Sequence, residues 1–382
     1  MLISQFEIKV TEEFKIALFL GAGASVPFGK PTTKQLKIQL SEKYKHEPHV
    51  GVTPSQFYLY SMISFSTFED VEHILQCVKD IDDFFSNSEY GGKYLLEAQY
   101  RYQHPNRPWT LNNLTENIKE VRTMIEDDVF RNYSWNHSYD QALVGILDKL
   151  FGVIRKHSRE IHVFTTNYDA AIEEYCGKME YRCIDGFTLN EYSNRRIWSG
   201  KYSYPPNEDQ KNILLYKLHG SLTWKMHKQH GIEATKEEGK SRDLNYIENM
   251  LVYPTVSPKS GEEIEPYKTI RDEFKKFMDV ADVCIVIGFS FRDEHINAIF
   301  SEFFKRGKKI LIISPSAEKN IYGNLLKKDL PVNEGGIPLD IDPNKICSIR
   351  ENKKLFTINQ PLTIDNMSEI SKIMDFVITG KF

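Results

Sequence analysis

Ile16-Ala-Leu-Phe-Leu20 runs directly into Gly21-Ala22-Gly23-Ala24-Ser25. Five apolar residues without polar alternation describe a strand buried on both faces, the habit of a parallel sheet. The glycines stop the run and let the backbone approach a neighbour closely. Later stretches have the same form: Ile161-His-Val-Phe-Thr165, Val283-Cys-Ile-Val-Ile287 and Lys309-Ile-Leu-Ile-Ile313. Each ends in a small or polar residue and precedes helix-compatible text, such as Glu294 to Phe304 or Ala317 to Lys327. Strand, turn and helix at this spacing predict a doubly wound, Rossmann-like α/β sheet. Ligands of such sheets sit outside the carboxyl ends of the strands. The residues just after each apolar run are therefore the candidates for chemistry.

Between the first and second of these strands the period changes. Val71, Ile74, Leu75 and Val78, then Leu143, Ile146, Leu147 and Leu150, recur at helical spacing. This predicts a helical insertion over 53–156 within a discontinuous sheet domain of 1–52 and 157–382, with breaks at Gly91-Gly92 and at Pro105 to Pro108. Phe57-Tyr58-Leu59-Tyr60 and Tyr100-Arg101-Tyr102 make the insertion the candidate partner surface, and fit a helical core equally. Gln229 to Arg242 is polar and charge-mixed, and reads as an exposed, mobile loop.

Composition narrows the class. The chain has 382 residues, enough for one large domain or two ordinary ones. Lys and Arg number 49 against 53 Asp and Glu, a net charge of -4, which excludes a globally basic nucleic-acid binder and leaves a local patch open. No run approaches the roughly 18 uninterrupted apolar residues of a membrane helix. The first residues lack the regions of a signal peptide. Five scattered cysteines (Cys77, Cys176, Cys183, Cys284 and Cys347) make no disulfide scaffold, and the expected location is cytoplasmic.

Four segments carry the candidate chemistry. Gly21-Ala22-Gly23-Ala24-Ser25 can bring backbone close to a phosphate, or form a tight turn that packs helix on strand. The third glycine of a dinucleotide fingerprint is replaced by Val26, and Gly29-Lys30 is followed by Pro31 where a phosphate loop has Ser or Thr. Thr165-Thr166-Asn167-Tyr168-Asp169 offers an amide that both donates and accepts, and a carboxylate. Either Asn167 or Asp169 can instead cap the following helix. Leu218-His219-Gly220-Ser221 places a histidine, suited to proton transfer near neutrality, after the apolar run Ile213 to Tyr216. Gly288-Phe289-Ser290 and Ser314-Pro315 close the last two strands, as turns or as an adenosine subsite.

In this order the segments resemble the sirtuin family, in its divergent bacterial branch. The family's Gly-Ala-Gly-x-Ser loop with Gly-x-Pro four residues later is matched by Gly21 to Ser25 and Gly29-Lys30-Pro31. Its Thr-Gln-Asn-Ile-Asp is matched by Thr165 to Asp169, its His-Gly by His219-Gly220, and its Gly-Thr-Ser by Gly288-Phe289-Ser290. The resemblance implies NAD+ as the ligand. Gly21, Ala22, Gly23 and Ser25 would line the pyrophosphate, and Gly288, Ser290 and Ser314 would lie near the adenosine, with Pro31 and Phe289 in the same binding set. Asn167 and Asp169 would face the nicotinamide ribose, and Asn167 and His219 would be the catalytic pair.

The departures are informative as well. Sirtuin deacylases carry a zinc ribbon of paired Cys-x-x-Cys, and no two cysteines here have that spacing. No zinc or other metal is expected, and His227-Lys-Gln-His230 reads as solvated for want of a carboxylate arrangement. Thr32-Thr33-Lys34 replaces the deacylase Asp-Phe-Arg. Gly288 to His295 resembles stand-alone sirtuin-like proteins of bacterial anti-phage systems, which hydrolyse NAD+ to ADP-ribose and nicotinamide. By length the chain resembles the subgroup that works with a HerA-type hexameric ATPase. The expectation is an NAD+-hydrolysing enzyme, a homo-oligomer with that possible partner. The alternatives are a protein deacylase and a non-hydrolytic NAD-binding or assembly subunit of a nuclease complex.

Overall fold

The computed structural model describes residues 13–44, 70–87, 111–203, 212–236, 245–251, 264–325, 347–349 and 355–380. The expected breaks at Gly91-Gly92 and Pro105 to Pro108, and the aromatic stretches at 57–60 and 100–102, lie outside them. The described residues divide into two compact units, 1–30 with 134–252 and 256–382, and 31–133 with 253–255.

The larger unit is built on one sheet. Its strands are β1 (Ile16–Leu20), β2 (Ile161–Thr165), β3 (Arg182–Ile184), β6 (Asn212–Lys217), β10 (Val283–Ile287), β11 (Lys309–Ile313), β12 (Cys347–Ile349) and β13 (Leu355–Ile358). Their spatial order is β12-β13-β11-β10-β1-β2-β6-β3. Every pairing is parallel except β12 with β13. The four predicted runs are strands at the predicted residues.

Alternation along these strands fills two cores. Ile16, Leu18, Ile161, Val163, Ile285 and Leu311 face one side, under α4 (Asp140–His157), α5 (Ala171–Lys178) and α8 (Met367–Thr379). Ala17, Phe19, Phe164, Val286 and Ile312 face the other, under α6 (Tyr267–Val280) and α7 (Glu294–Lys305). Helices on both faces explain why the strands read as unbroken apolar runs. The chain builds β2, β3 and β6 on one side of β1, then crosses to β10, β11 and β13 on the other. The strand order thus reverses at β1 and β10, where such sheets open a ligand crevice.

The smaller unit contains α1 (Thr33–Lys43), α2 (Val71–Asn87) and α3 (Leu111–Tyr133). Thr32 and Gln35 form a reciprocal capping box at the start of α1. Buried Asp128 on α3 accepts from Tyr44 Oη at 2.6 Å, from Arg131 at 2.9 Å and from Lys43. The expected insertion runs to Lys156, and the division into compact units falls at Tyr133. Helix α4 buries Leu143, Ile146, Leu147, Leu150 and Ile154 in the same core as the sheet, so its helical period belongs to the sheet unit.

A second, antiparallel sheet lies within the larger unit, in the order β4 (Gly186–Asn190), β5 (Arg195–Lys201), β8 (Gly231–Ala234), β7 (Gly220–His227) and β9 (Tyr246–Leu251). Phe187, Trp198 and Trp224 pack in its core, with Phe187 5.2 Å and 5.0 Å from the two tryptophan rings. This corrects the loop reading of Gln229 to Arg242 over 231–234, while 237–242 lie outside the described residues. Residues 231–234 are a strand with Ile232, Glu233 and Ala234 buried, too short to stand out from its polar flanks.

Candidate functional site

Adjacent strand ends gather the predicted segments. Thr165 ends β2 beside Lys217, which ends β6, so Asn167 and His219 each follow two residues beyond neighbouring strand ends. Thr165 Oγ1 donates to the Leu20 carbonyl at 2.9 Å and accepts the Asn167 N–H at 3.0 Å. Asn167 Nδ2 then donates to the Gly21 carbonyl at 3.0 Å and to Ser25 Oγ at 2.9 Å. A carbonyl only accepts, so the nitrogen must face Gly21 and the direction of Oδ1 is fixed. That oxygen is buried and has no hydrogen-bond partner among the described residues.

Asp169 lies one residue before Ala170, the N-cap of α5, which has no side-chain cap bond. Its Oδ1 accepts the Ala171 N–H at 3.1 Å at the start of α5, while its carbonyl accepts from Lys217 Nζ at 2.6 Å. Lys217 is 1% exposed and also donates to Ser221 Oγ at 2.9 Å and Glu173 Oε1 at 2.8 Å. Burial pushes the Glu173 carboxyl up, against the opposing charge of Lys217. Ser25, Thr165, Asn167, Asp169, Glu173 and Lys217 form the polar wall of a pocket whose apolar wall includes Leu147 and Leu150 of α4.

His219 is buried and its ring lies 6.5 Å from that of Tyr168. Its Nε2 is 3.1 Å from Asp293 Oδ2, and its Nδ1 is buried without a hydrogen-bond partner among the described residues. Gly220 turns the chain from β6 into the second sheet at φ 87°, and a Cβ there would lie 2.1 Å from the Met250 carbonyl oxygen. The glycine after the histidine therefore has a steric reason.

The glycine loops knit two strand ends together. Gly21 N–H donates to the Ile287 carbonyl and Gly23 N–H to the Gly288 carbonyl, both at 2.9 Å. Gly288 has φ 67°, and a Cβ on it would sit 2.2 Å from the Ala24 nitrogen. Ala22 opens a 3-10 helix, Ala22–Phe28, and α1 starts only at Thr33, so no α-helix follows the loop directly. Phe289 packs 4.8 Å from Phe19 and 5.0 Å from Phe291, its ring in the core. Ser290 Oγ accepts from Arg292 Nε at 3.1 Å, and Ser314 N–H donates to the Ile358 carbonyl at 3.0 Å. Pro31 is the first residue of the smaller unit.

Sequence reasoning did not single out Lys217, Glu173 or Asp293. Asp293 carried a signal, an acidic residue just before a predicted helix, and its Oδ1 does cap α7 through His295 and Ile296. Lys217 and Glu173 meet only through the pairing of β2 with β6. The reading of His227 and His230 also changes. His227 is buried, the two rings stack at 4.5 Å, and β8 brings Glu233 to within 4.8 Å of their ligand atoms. These groups have other partners. His227 Nδ1 accepts backbone N–H groups of Gln229 and His230, and both Glu233 oxygens accept from Arg195, with Tyr246 Oη at 2.8 Å. We assign no metal to them.

Residues 161–330 match the family model described as SIR2-like domain. No curated protein sequence matches the chain. Among solved structures, a mutant Sir2 homologue in complex with 2′-O-acetyl ADP ribose is similar, with 13% identity, a TM-score of 0.42, and coverage of 99% of this chain and 98% of that one. A Sir2 homologue in complex with NAD has 13% identity and a TM-score of 0.40, covering 98% and 96%. Sir2 bound to acetylated peptide has 14% identity and a TM-score of 0.41, covering 94% and 92%. The α/β class itself stands on the strand order and register. Among the described residues, no helix is long and apolar enough to cross a membrane.

Proposed function

We propose that the chain hydrolyses NAD+ to ADP-ribose and nicotinamide, with Asn167 and His219 as its catalytic residues. The observation that carries the reading is a pair of orphaned acceptors. Asn167 Oδ1 and His219 Nδ1 are buried, lack hydrogen-bond partners among the described residues and lie beyond adjacent strand ends. Buried polar atoms are ordinarily paired. Two acceptors left open at the edge of a SIR2-like domain fit ribose hydroxyls or a water as the missing donors.

The chemistry asks little else of the protein. As the bond between C1′ and the nicotinamide nitrogen breaks, its electron pair leaves with neutral nicotinamide and the sugar gains oxocarbenium character. A water oxygen bonds to C1′, and its proton passes to His219 and then to solvent. Positioning and charge stabilisation supply the rate. Asn167 is held by Ser25 and Gly21 to orient the ribose or the water. The setting proposed is depletion of NAD+ during phage infection, with assembly of the chain and a HerA-type ATPase as its control.

The test is incubation of the purified full chain with NAD+, alone and with a HerA-type ATPase, followed by chromatography of the products. Asn167→Ala and His219→Ala are expected to lower turnover by about 10²–10⁴-fold while remaining folded. An acylated ADP-ribose formed only with acylated peptide would replace the reading with deacylation. Bound but intact NAD+ in both conditions would replace it with a sensor or scaffold.

A further inference from the structure

His219 belongs to a buried pair. Asp293 is the N-cap of α7, and its Oδ1 is committed to the backbone N–H groups of His295 at 3.0 Å and Ile296 at 3.1 Å. Its other oxygen, Oδ2, faces His219 Nε2 at 3.1 Å, with side-chain exposures of 8% for the histidine and 11% for the aspartate. An ionised carboxylate only accepts. Nε2 must therefore carry the hydrogen, and in the neutral ring Nδ1 is left with the lone pair. That nitrogen is the one without a protein partner.

We infer that Asp293 is a positioning residue, which holds His219 in the Nε2–H tautomer so that Nδ1 is the base of the reaction. The inference rests on the NAD+-hydrolysis reading of the same site. In that reaction a water proton passes to Nδ1 as the water oxygen bonds to C1′ and the electron pair of the C1′–N bond leaves with nicotinamide. The ring becomes imidazolium between the reacting water and the Asp293 carboxylate. Solvent later takes the proton from Nδ1, which restores the starting tautomer.

The carboxylate is suited to this. Burial alone would raise its pKa, and the hydrogen bond and charge of His219 with the Ile296 N–H outweigh burial and hold it below the usual range. Among the described residues, His295 on α7 acts on the Asp293 carboxyl and the Tyr168 ring lies 6.5 Å from that of His219, with Tyr267 of α6 beside the neighbouring Gly220. Asp293 stands beside the ring and also fixes the end of a helix. The cap thus sets the position of the carboxylate to within a bond rotation.

Asp293→Asn in the full chain separates the two roles. Asn keeps an acceptor for the cap but turns a donor toward Nε2, which drives the ring to the Nδ1–H tautomer. Turnover of NAD+ should fall by about 10²–10⁴-fold with KM little changed. The acidic limb of the pH–rate profile should move to lower pH, because the charge that favours imidazolium is gone. Asp293→Ser, which also caps but does not reach the ring, should move the limb the same way. Nitrogen-15 NMR of the histidine rings, with His219 assigned by its loss in His219→Gln, reads the tautomer without turnover. A switch from Nε2–H to Nδ1–H in Asp293→Asn supports the positioning role even if the wild type leaves NAD+ intact, an outcome that removes only the hydrolysis reading. Unchanged ring resonances, or wild-type kcat and an unmoved limb in both variants, overturn it.

Discussion

Thr165 and Lys217 are the last register pair of β2 and β6, and the Leu218 N–H extends the ladder by donating to the Thr165 carbonyl at 2.8 Å. Asn167 and His219 therefore leave the sheet at one level. Strand side chains alternate with period 2, so a one-residue slip of β6 would send His219 to the opposite face. Lys217 works against such a slip, because its ammonium is held by two backbone carbonyls, Glu173 and Ser221. His219 and Asn167 are aligned by sheet register before any side-chain contact between them.

Ser25 orients Asn167 without needing to touch a substrate. Ser25→Ala removes one of two acceptors for Nδ2 and leaves the Gly21 carbonyl. Losing one such hydrogen bond is worth about 0.5–1.5 kcal/mol. Steady-state kinetics should show turnover lower by about 2–10-fold, far less than for Asn167→Ala, and thermal unfolding should show a modest loss of stability of the same order. A loss as large as that of Asn167→Ala would give the serine a direct part in the chemistry.

Gly288→Ala should damage the fold rather than the chemistry. A left-handed φ of 67° costs about 1–3 kcal/mol with a side chain, and the new Cβ would sit 2.2 Å from the Ala24 nitrogen and 2.4 Å from the Gly23 carbonyl carbon. Backbone on both sides must move, so the loss should exceed the φ penalty alone. Thermal unfolding checks it. A Tm within two degrees of wild type would mean that the two loops are not packed this way.

The legible part of this molecule is the part with one period. Ile16 to Leu20 and its counterparts are strands because both faces are covered, and a run of apolar residues has few other uses at that length. The candidate segments were legible as strand ends for a related reason, and the pairing of β2 with β6 puts Asn167 and His219 beyond neighbouring ends. Contacts across the sheet were not legible. Lys217 and Glu173 are 44 residues apart, His219 and Asp293 are 74 apart, and no local pattern joins either pair. The second sheet was missed because strands as short as Gly231–Ala234 take their meaning from neighbours. Helical period over 140–157 says that a face is buried and not what buries it, and that face lies in the core of the sheet.

The Lys217–Glu173 pair offers a stability test with a sign. Lys217→Met leaves Glu173, whose side chain is 24% exposed, without its counter-charge, a loss smaller than the about 3–5 kcal/mol of fully buried pairs. Burial already pushes the Glu173 carboxyl up, and loss of the ammonium pushes it further. A group with a raised folded value favours folding when protonated, so the variant should lose stability as pH rises through that value. Urea unfolding should find the deficit larger at pH 7 than at pH 5. Adding Glu173→Leu should recover part of the loss at pH 7 and flatten the dependence.

Asp293 should set a slope of the opposite sense. Its carboxyl is held below the usual range in the folded chain by His219 and the Ile296 N–H, despite burial, whereas in the unfolded chain it titrates near about 3.9. Between those values the unfolded state binds more protons, so stability rises with pH. The contribution is fully present above the unfolded value and is lost as pH falls through the folded one. Asp293→Asn keeps the cap and removes the titration. The gap between wild type and variant in urea midpoint should therefore be widest from pH 5 upward and should narrow as the pH is taken down toward 3. If the gap stays constant with pH, the carboxylate is not the ionised partner of His219, and the acid sensitivity of the fold lies elsewhere.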